Sequence, residues 1–203
     1  PRNDYIYKTN GRAELSKIIS QDLSNSKLIF YLPTMRKGLK DEGAGFEDNI
    51  FNYADWNVEE LDEVLEENNA YIIAKMHFAD NSFFDREDFK LPKRMLFLDT
   101  QILNEQYLTI YHIMNAFDIL ITDYSSVYVD YMLLDRPIIF SCSDLEQYKK
   151  DRGFVVDDPS LLMPGAIVKT QRELVENLKN IFTGIDEYAS DRKDKMAFFH
   201  TYE

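Results

Sequence analysis

Two adjacent serines, Ser125 and Ser126, follow an apolar stretch at 119–121 that is typical of a buried β-strand. We predict that a helix opens at this serine pair and runs over roughly 125–134. The first backbone N–H groups of a helix have no partner within it, and the helix dipole adds partial positive charge there. With the hydroxyls of Thr122, Ser125 and Ser126 as further donors, this turn is a candidate phosphate-binding site. The alternative is an ordinary helix N-cap, a position where serine is common.

Three further side chains could act on a phosphate held at that turn. His77 follows a predicted strand, and its imidazole could donate to a phosphate oxygen or move a proton near neutral pH, although a structural histidine is equally compatible. Arg36 could hold a phosphate by paired hydrogen bonds or be a solvated loop residue. Asp130 could orient a donor from behind the serine pair or be a surface charge. We interpret His112, in the middle of a predicted helix, as structural.

Strand and helix patterns alternate along the chain, which predicts an α/β fold: a Rossmann-like parallel sheet with helices on both faces. The expected strands lie at 28–32, 71–74, 95–98, 119–121, 137–140 and 167–168. The expected helices lie at 12–22, 57–68, 104–117, 125–134, 170–182 and 185–199, and a long loop is expected over 34–55.

Polar residues follow the carboxyl ends of several predicted strands. Thr34, His77, Asp99, Asp123 and the serine pair all occupy such positions. Ligands of parallel sheets bind at the carboxyl ends of the strands, where the strand order changes direction. We therefore expect several of these groups to converge on one edge of the sheet.

Composition limits the class of protein. The chain has 203 residues, of which 45% are hydrophobic, so it can form one large domain with a full core, or two small domains. Its net charge of −13 argues against nonspecific nucleic-acid binding and against direct adhesion to anionic lipid. The single cysteine, Cys142, excludes an internal disulfide framework, and we expect an inert buried thiol in a reducing cytoplasm. The sequence shows no signal peptide and no apolar run long enough to span a bilayer.

Several common catalytic motifs do not occur in the sequence. Without GxxxxGK[ST] or a GxGxxG after a strand, a P-loop hydrolase and the usual dinucleotide-binding turn are disfavoured. Without HExxH, a Cys/His cluster or GxSxG, a zinc site and a serine hydrolase are disfavoured as well. We expect no metal and no cofactor. What remains is a phosphate-binding α/β domain with a histidine and an arginine nearby.

A series of ordered motifs suggests a known family. The most specific is Ile-Thr-Asp-Tyr-Ser-Ser at 121–126, followed by Asp130 and Tyr131. Other matching segments are 1–4, 30–36, 75–77, 136–140, 144–148, 152–154, 164–165 and 167–170. Through these motifs the chain resembles the carboxyl-terminal half of the CDP-glycerol glycerophosphotransferases, which make teichoic-acid-type glycerol-phosphate polymers of bacterial walls and capsules.

The resemblance implies one half of a glycosyltransferase-B type enzyme, in which two Rossmann-like domains face a cleft. The carboxyl-terminal domain of such enzymes holds the nucleotide diphosphate donor. By position, Thr122 and the serine pair would bind the donor phosphates, and His77 would match the catalytic histidine that faces the transferring phosphate. Arg36 and Asp130 would be secondary candidates.

Some features depart from the family pattern. Phe78 follows His77 where the family usually has proline, and Met35 stands where it usually has tryptophan. Such enzymes also use a histidine from an amino-terminal half, and this chain starts at Pro1 without a methionine. We therefore expect residues 1–203 to be a single nucleotide-diphosphate-binding domain, a fragment without its amino-terminal domain, that binds weakly and turns over little alone.

The function implied by the resemblance is transfer of glycerol phosphate from CDP-glycerol to a polyol-phosphate or lipid-linked acceptor, with release of CMP. The enzyme would work at the cytoplasmic face of the bacterial membrane, associated peripherally through other parts of the protein. One alternative is a related enzyme that uses CDP-ribitol or a nucleotide sugar. Another is a non-catalytic nucleotide-binding or scaffold domain.

Overall fold

A six-stranded, all-parallel β-sheet forms the centre of the chain. The computed structural model describes residues 3–34, 49–76, 90–151, 153, 156 and 158–200. The strands are β1 (Lys27–Leu32), β2 (Ala70–Ala74), β3 (Met95–Phe97), β4 (Ile119–Thr122), β5 (Ile138–Ser141) and β6 (Ala166–Val168). All six expected strands are therefore confirmed, with bounds shifted by a residue or two.

The strand order is β3-β2-β1-β4-β5-β6. The strands β2 and β3 extend the sheet on the β1 side, and β5 and β6 extend it on the β4 side. Crossovers change direction between these two central strands, where Leu32 pairs with Thr122 at the carboxyl end. In open parallel sheets this switch point forms the crevice in which ligands bind. The order is that of a doubly wound Rossmann-like fold, and the predicted fold class is confirmed.

Helices cover both faces of the sheet. They are α1 (Asp4–Lys8), α2 (Gly11–Leu15), α3 (Val58–Glu67), α4 (Thr100–Glu105), α5 (Ile110–Ile113), α6 (Val127–Tyr131), α7 (Leu145–Asp151), α8 (Gln171–Phe182) and α9 (Ala189–Phe199). Short 3-10 turns lie at Met114–Ala116, Met132–Leu134 and Pro159–Leu162. No helix among the described residues is both long and apolar enough to cross a membrane.

The core consists of two apolar clusters, one on each face of the sheet, because side chains alternate along a strand. In β1, Ile29 and Tyr31 pack with α3 and α8, whereas Leu28 and Phe30 pack with the helices of the other face. Cys142 is buried in the second cluster, as expected.

The helices α3 and α8 match their predictions closely because both have clear start signals. Asn57 caps α3 by accepting a hydrogen bond from Glu60 N–H. Thr170 and Glu173 form a reciprocal capping box at the start of α8. Apolar residues at helical spacing then bury one face of each helix against β-strands.

The predicted helix over 104–117 is wrong. The chain forms α4, breaks, and then forms α5 and a 3-10 turn. Tyr107 adopts a left-handed conformation with φ of 54°, which ends the first helix. Thr109 is extended and starts the second. The apolar residues keep a helical spacing across the break, so the sequence pattern predicts one continuous helix.

Other helix predictions need smaller corrections. The helix expected over 12–22 ends at Leu15, and the one expected over 185–199 begins at Ala189. The helices α1, α4 and α7 were not predicted as separate elements. Of the long loop expected over 34–55, residues 35–48 lie outside the described residues, and 49–53 form a turn closed by the Asn49 side chain.

Candidate functional site

The loops after β1 and β4 meet at the switch point, and a buried carboxylate joins them. Asp123 is 1% exposed and directly follows β4. The Thr34 N–H donates to both Asp123 carboxylate oxygens, each at 2.9 Å, and the Thr34 hydroxyl donates to the same carboxylate. The Ser125 N–H donates to Asp123 Oδ1 at 3.2 Å. The structure thus brings together Thr34, Asp123 and the serine pair, as their strand-end positions predicted.

The Thr122 side chain lies inside the protein, between the ends of β4 and β1. It is fully buried, and its hydroxyl donates to the Leu32 carbonyl at 2.6 Å. This bond joins the last residues of β4 and β1 beyond the regular sheet ladder. The hydroxyl is therefore engaged within the protein.

The serine pair lies further toward solvent. Ser126 is exposed and occupies the N-cap position of α6, but its side chain makes no capping hydrogen bond. Ser125 is half-buried, and its Oγ accepts a long contact of 3.5 Å from Val127 N–H. The predicted helix over 125–134 corresponds to α6 and the 3-10 turn Met132–Leu134. Both serines follow the carboxyl end of β4, next to the switch point of the sheet.

Asp130 is not a surface charge, because it is 5% exposed. Its Oδ2 accepts a hydrogen bond from the Tyr111 hydroxyl at 2.9 Å. This bond connects α6 to α5, so Asp130 fixes the helix behind the serine pair.

Two predicted site residues, His77 and Arg36, lie outside the described residues. Lys75, two residues before His77, is half-buried at the end of β2, and its N–H donates to the Tyr31 carbonyl. Burial lowers the pKa of the Lys75 ammonium, and the nearby Asp99 carboxylate partly opposes that change. Asp99 itself is exposed and caps α4 through Gln101 N–H, so it serves as a helix cap.

The remaining histidines have structural partners. The Nδ1 atom of His112 accepts the Thr109 N–H at 3.0 Å, and its ring lies 4.0 Å from the Tyr5 ring. This confirms the structural interpretation of His112. The Nε2 of His200 donates to the Val129 carbonyl at 2.7 Å, which ties the end of α9 to α6.

Two features at this edge of the sheet are not predicted from the sequence. One is the bridge from Asp123 to Thr34, which spans 89 residues of sequence. The other is a tyrosine pair, Tyr124 and Tyr148, whose rings stack at 4.0 Å, with the Tyr124 hydroxyl donating to Asp144 at 3.0 Å. Tyr124 lies within the recognised motif, but no local pattern indicated its ring partner.

The donor set at this site is suited to an anion rather than a metal ion. In the described parts of the two loops, hydroxyl and backbone N–H groups predominate, and the carboxylate of Asp123 already accepts hydrogen bonds from both loops. Among the residues that the structure describes, no group of three or more His, Cys, Asp and Glu side chains could hold a metal ion.

Comparison with known proteins gives a consistent picture. The family model described as CDP-Glycerol:Poly(glycerophosphate) glycerophosphotransferase matches residues 1–203. A teichoic acid ribitol-phosphate primase of Bacillus spizizenii is 30% identical over 100% of this chain and 47% of its own length. A teichoic acid poly(glycerol phosphate) polymerase of the same species is 33% identical over 87% of this chain and 42% of its own length.

Solved structures agree with the sequence comparison. A structure of the wall teichoic acid polymerase TagF has a TM-score of 0.65 and 28% identity, and the match covers 99% of this chain and 46% of that one. This chain thus spans about half the length of the relatives that it matches. Since the family model covers every residue, the chain belongs to the CDP-glycerol:poly(glycerophosphate) glycerophosphotransferase family.

Proposed function

We propose that this chain is the donor-binding half of an enzyme that transfers glycerol phosphate from CDP-glycerol to a polyol-phosphate or lipid-linked acceptor. The observation that carries the proposal is the family match over the whole chain, combined with the position of the serine pair, of which Ser126 is exposed and Ser125 half-buried, after β4 at the switch point of the sheet. A TagF variant that was soaked with CDPG has a TM-score of 0.65 with this chain, which supports the same donor.

The reaction is a phosphoryl transfer. An acceptor hydroxyl oxygen forms a bond to the β-phosphorus of CDP-glycerol, the bond from that phosphorus to the bridging oxygen breaks, and CMP leaves. The proton of the attacking hydroxyl passes to a base or to water. Such reactions depend mainly on positioning and on stabilising negative charge on the phosphate oxygens.

In this mechanism the serine pair donates its hydroxyls to the donor phosphates. Thr122 contributes by joining β4 to β1 beneath them, because its own hydroxyl is engaged with Leu32. His77 is proposed to face the transferring phosphate and Arg36 to neutralise phosphate charge, as the family resemblance implies. Asp130 supports the serine pair by holding α6.

The other half of the enzyme is part of the proposal. We propose that residues 1–203 form a single nucleotide-diphosphate-binding domain that faces an amino-terminal domain across a cleft and needs it for full activity. The acceptor would be presented at the cytoplasmic face of the membrane, with peripheral attachment through other parts of the protein. The product would be a wall teichoic acid or a capsule polymer.

A second candidate donor, CDP-ribitol, is supported by the comparison with relatives. The ribitol-phosphate primase of Bacillus spizizenii matches the entire chain at 30% identity, close to the 33% of the glycerol-phosphate polymerase. The two donors share the cytidine diphosphate and differ in the polyol, so the same donor-phosphate site could serve either.

A transfer assay with the intact enzyme decides between these donors. The enzyme is given labelled CDP-glycerol or CDP-ribitol with a polyol-phosphate acceptor, and both CMP release and acceptor labelling are followed. We expect labelling from CDP-glycerol to exceed that from CDP-ribitol by at least about tenfold, or about 1.4 kcal/mol in transition-state free energy. Preference for CDP-ribitol would reassign the donor. No labelling from either would contradict the proposed function.

A further inference from the structure

We infer that Asp123 is a positioning residue for the donor: it sets the distance between the loop after β1 and the loop after β4. The inference rests on the proposed function, since it concerns how the same site is held. Asp123 does not contact the donor in this account. It acts through Thr34, which follows β1, and Ser125, which follows β4.

The geometry of Asp123 supports this role. Its carboxylate accepts the Thr34 N–H and hydroxyl from the first loop and the Ser125 N–H from the second. These groups come from strands that are adjacent at the switch point, where Leu32 pairs with Thr122. With 1% of the residue exposed, water cannot replace these hydrogen bonds easily. Any shift of one loop against the other must therefore break bonds to Asp123.

The bridge adjoins the proposed donor site through Ser125, which belongs to the serine pair and whose N–H donates to Asp123. A carboxylate suits this position because it only accepts hydrogen bonds, and here all its described partners are donors. An asparagine would place its own N–H groups against at least one of them.

A second aspartate provides a matched control. Asp118 comes just before β4, and its Oδ2 accepts the Leu28 N–H at 2.8 Å and the Arg12 guanidinium at 3.0 Å. It therefore joins the amino ends of β1 and β4, as Asp123 joins their carboxyl ends. The two aspartates thus join the same pair of strands at opposite ends, and only Asp123 lies at the end that carries the proposed donor site.

The test compares Asp123→Asn with Asp118→Asn in the intact enzyme. Transfer kinetics with CDP-glycerol are measured below the unfolding temperature of both variants, and amide hydrogen exchange is followed by mass spectrometry in peptides that contain Thr34 and Ser125. We expect kcat/KM to fall on the order of 100-fold in Asp123→Asn, with a raised KM for the donor, because misplacing a bound phosphate by about 1 Å costs that much. Exchange in both peptides should become faster. Asp118→Asn should stay within about twofold of the parent in both measurements.

A second pair of variants covers the case in which Asp123→Asn fails to fold. Thr34→Val removes only the hydroxyl that donates to Asp123, whereas Thr34→Ser keeps it. We expect Thr34→Val to raise the donor KM several-fold and Thr34→Ser to restore it. Equal kcat/KM in the two aspartate variants, or in the two threonine variants, would overturn the positioning role. The parent's own transfer rate tests the proposed function separately, so the two failures are distinguishable.

Discussion

At the scale of single residues, buried polar side chains with several partners determine how the elements of this chain are joined. Gln171 is fully buried at the start of α8. Its Oε1 accepts the Asn57 N–H at 2.8 Å, and its Nε2 donates to the Asn57 carbonyl at 2.7 Å and to Glu60 at 2.8 Å. One amide side chain thus joins the amino-terminal ends of α8 and α3.

Replacing Gln171 by alanine should lower the free energy of unfolding by about 2 kcal/mol, because it removes a fully buried side chain together with its hydrogen bonds to Asn57 and Glu60. Urea denaturation measures this change. The matched control is Gln101→Ala, which removes an exposed amide whose side-chain hydrogen bond, among the described residues, is to Glu105 within α4. That variant should stay within about 0.5 kcal/mol of the parent. Equal stability of the two variants would contradict the account of Gln171.

Residue-scale contacts were the least predictable from the sequence. Strand-end positions correctly predicted that Thr34, Asp123 and the serine pair would lie close together. The bridge itself was missed, since a hydrogen bond between Thr34 and Asp123 depends on which strands are neighbours. The surface alternative for Asp130 was wrong because its burial depends on α5, which the sequence merged into a longer helix.

At the scale of elements, a buried guanidinium joins α9 to the turn after α6. Arg192 is 2% exposed, and it contacts Asp135 at 3.1 Å and Asp186 at 2.7 Å. Asp135 ends the 3-10 turn after α6 in a left-handed conformation with φ of 47°. His200 adds a contact from the other end of α9 to Val129 in α6. The last helix therefore supports the helix behind the serine pair.

We expect Arg192→Met to lower the free energy of unfolding by about 2–3 kcal/mol. This destabilisation is smaller than that caused by removing one partner of a fully buried ion pair, because the Asp135 and Asp186 carboxylates keep access to water. The neighbouring Lys193 also contacts Asp135, at 3.7 Å, but its side chain is 64% exposed. Lys193→Met should therefore cost less than about 1 kcal/mol. Thermal and urea unfolding compare the two, and similar losses would contradict the role assigned to Arg192.

The elements show where sequence patterns succeed. The helices α3 and α8 were predicted closely because capping residues and apolar spacing agree at both. The stretch 104–117 contains neither glycine nor proline, so nothing in its composition marked the break at Tyr107. A left-handed tyrosine that is 93% exposed is a local conformation that helix propensity does not encode.

At the scale of the whole molecule, the strand list alone predicted a parallel sheet but not its order. The order β3-β2-β1-β4-β5-β6 places the loops after β1 and β4 side by side, and this neighbourhood creates the candidate site. The family resemblance, drawn from ordered motifs rather than from periodicity, supplied the expectation that these loops hold a nucleotide diphosphate. The family itself is confirmed by the match over residues 1–203.

The central claim is that the serine pair binds the donor phosphates, and calorimetric titration of the intact enzyme tests it most directly. CDP-glycerol, CMP and a UDP-sugar are titrated into the parent, into Ser125→Ala/Ser126→Ala, and into a control, Ser16→Ala/Ser24→Ala, whose serines lie before β1 at the amino end of the sheet.

We predict selective binding of CDP-glycerol over the UDP-sugar by the parent and by the control. The double variant of the serine pair should bind CDP-glycerol at least about tenfold more weakly, a loss of about 1.4 kcal/mol. Unchanged affinity in that variant, beside a parent that binds CDP-glycerol, would contradict the assignment of the serine pair.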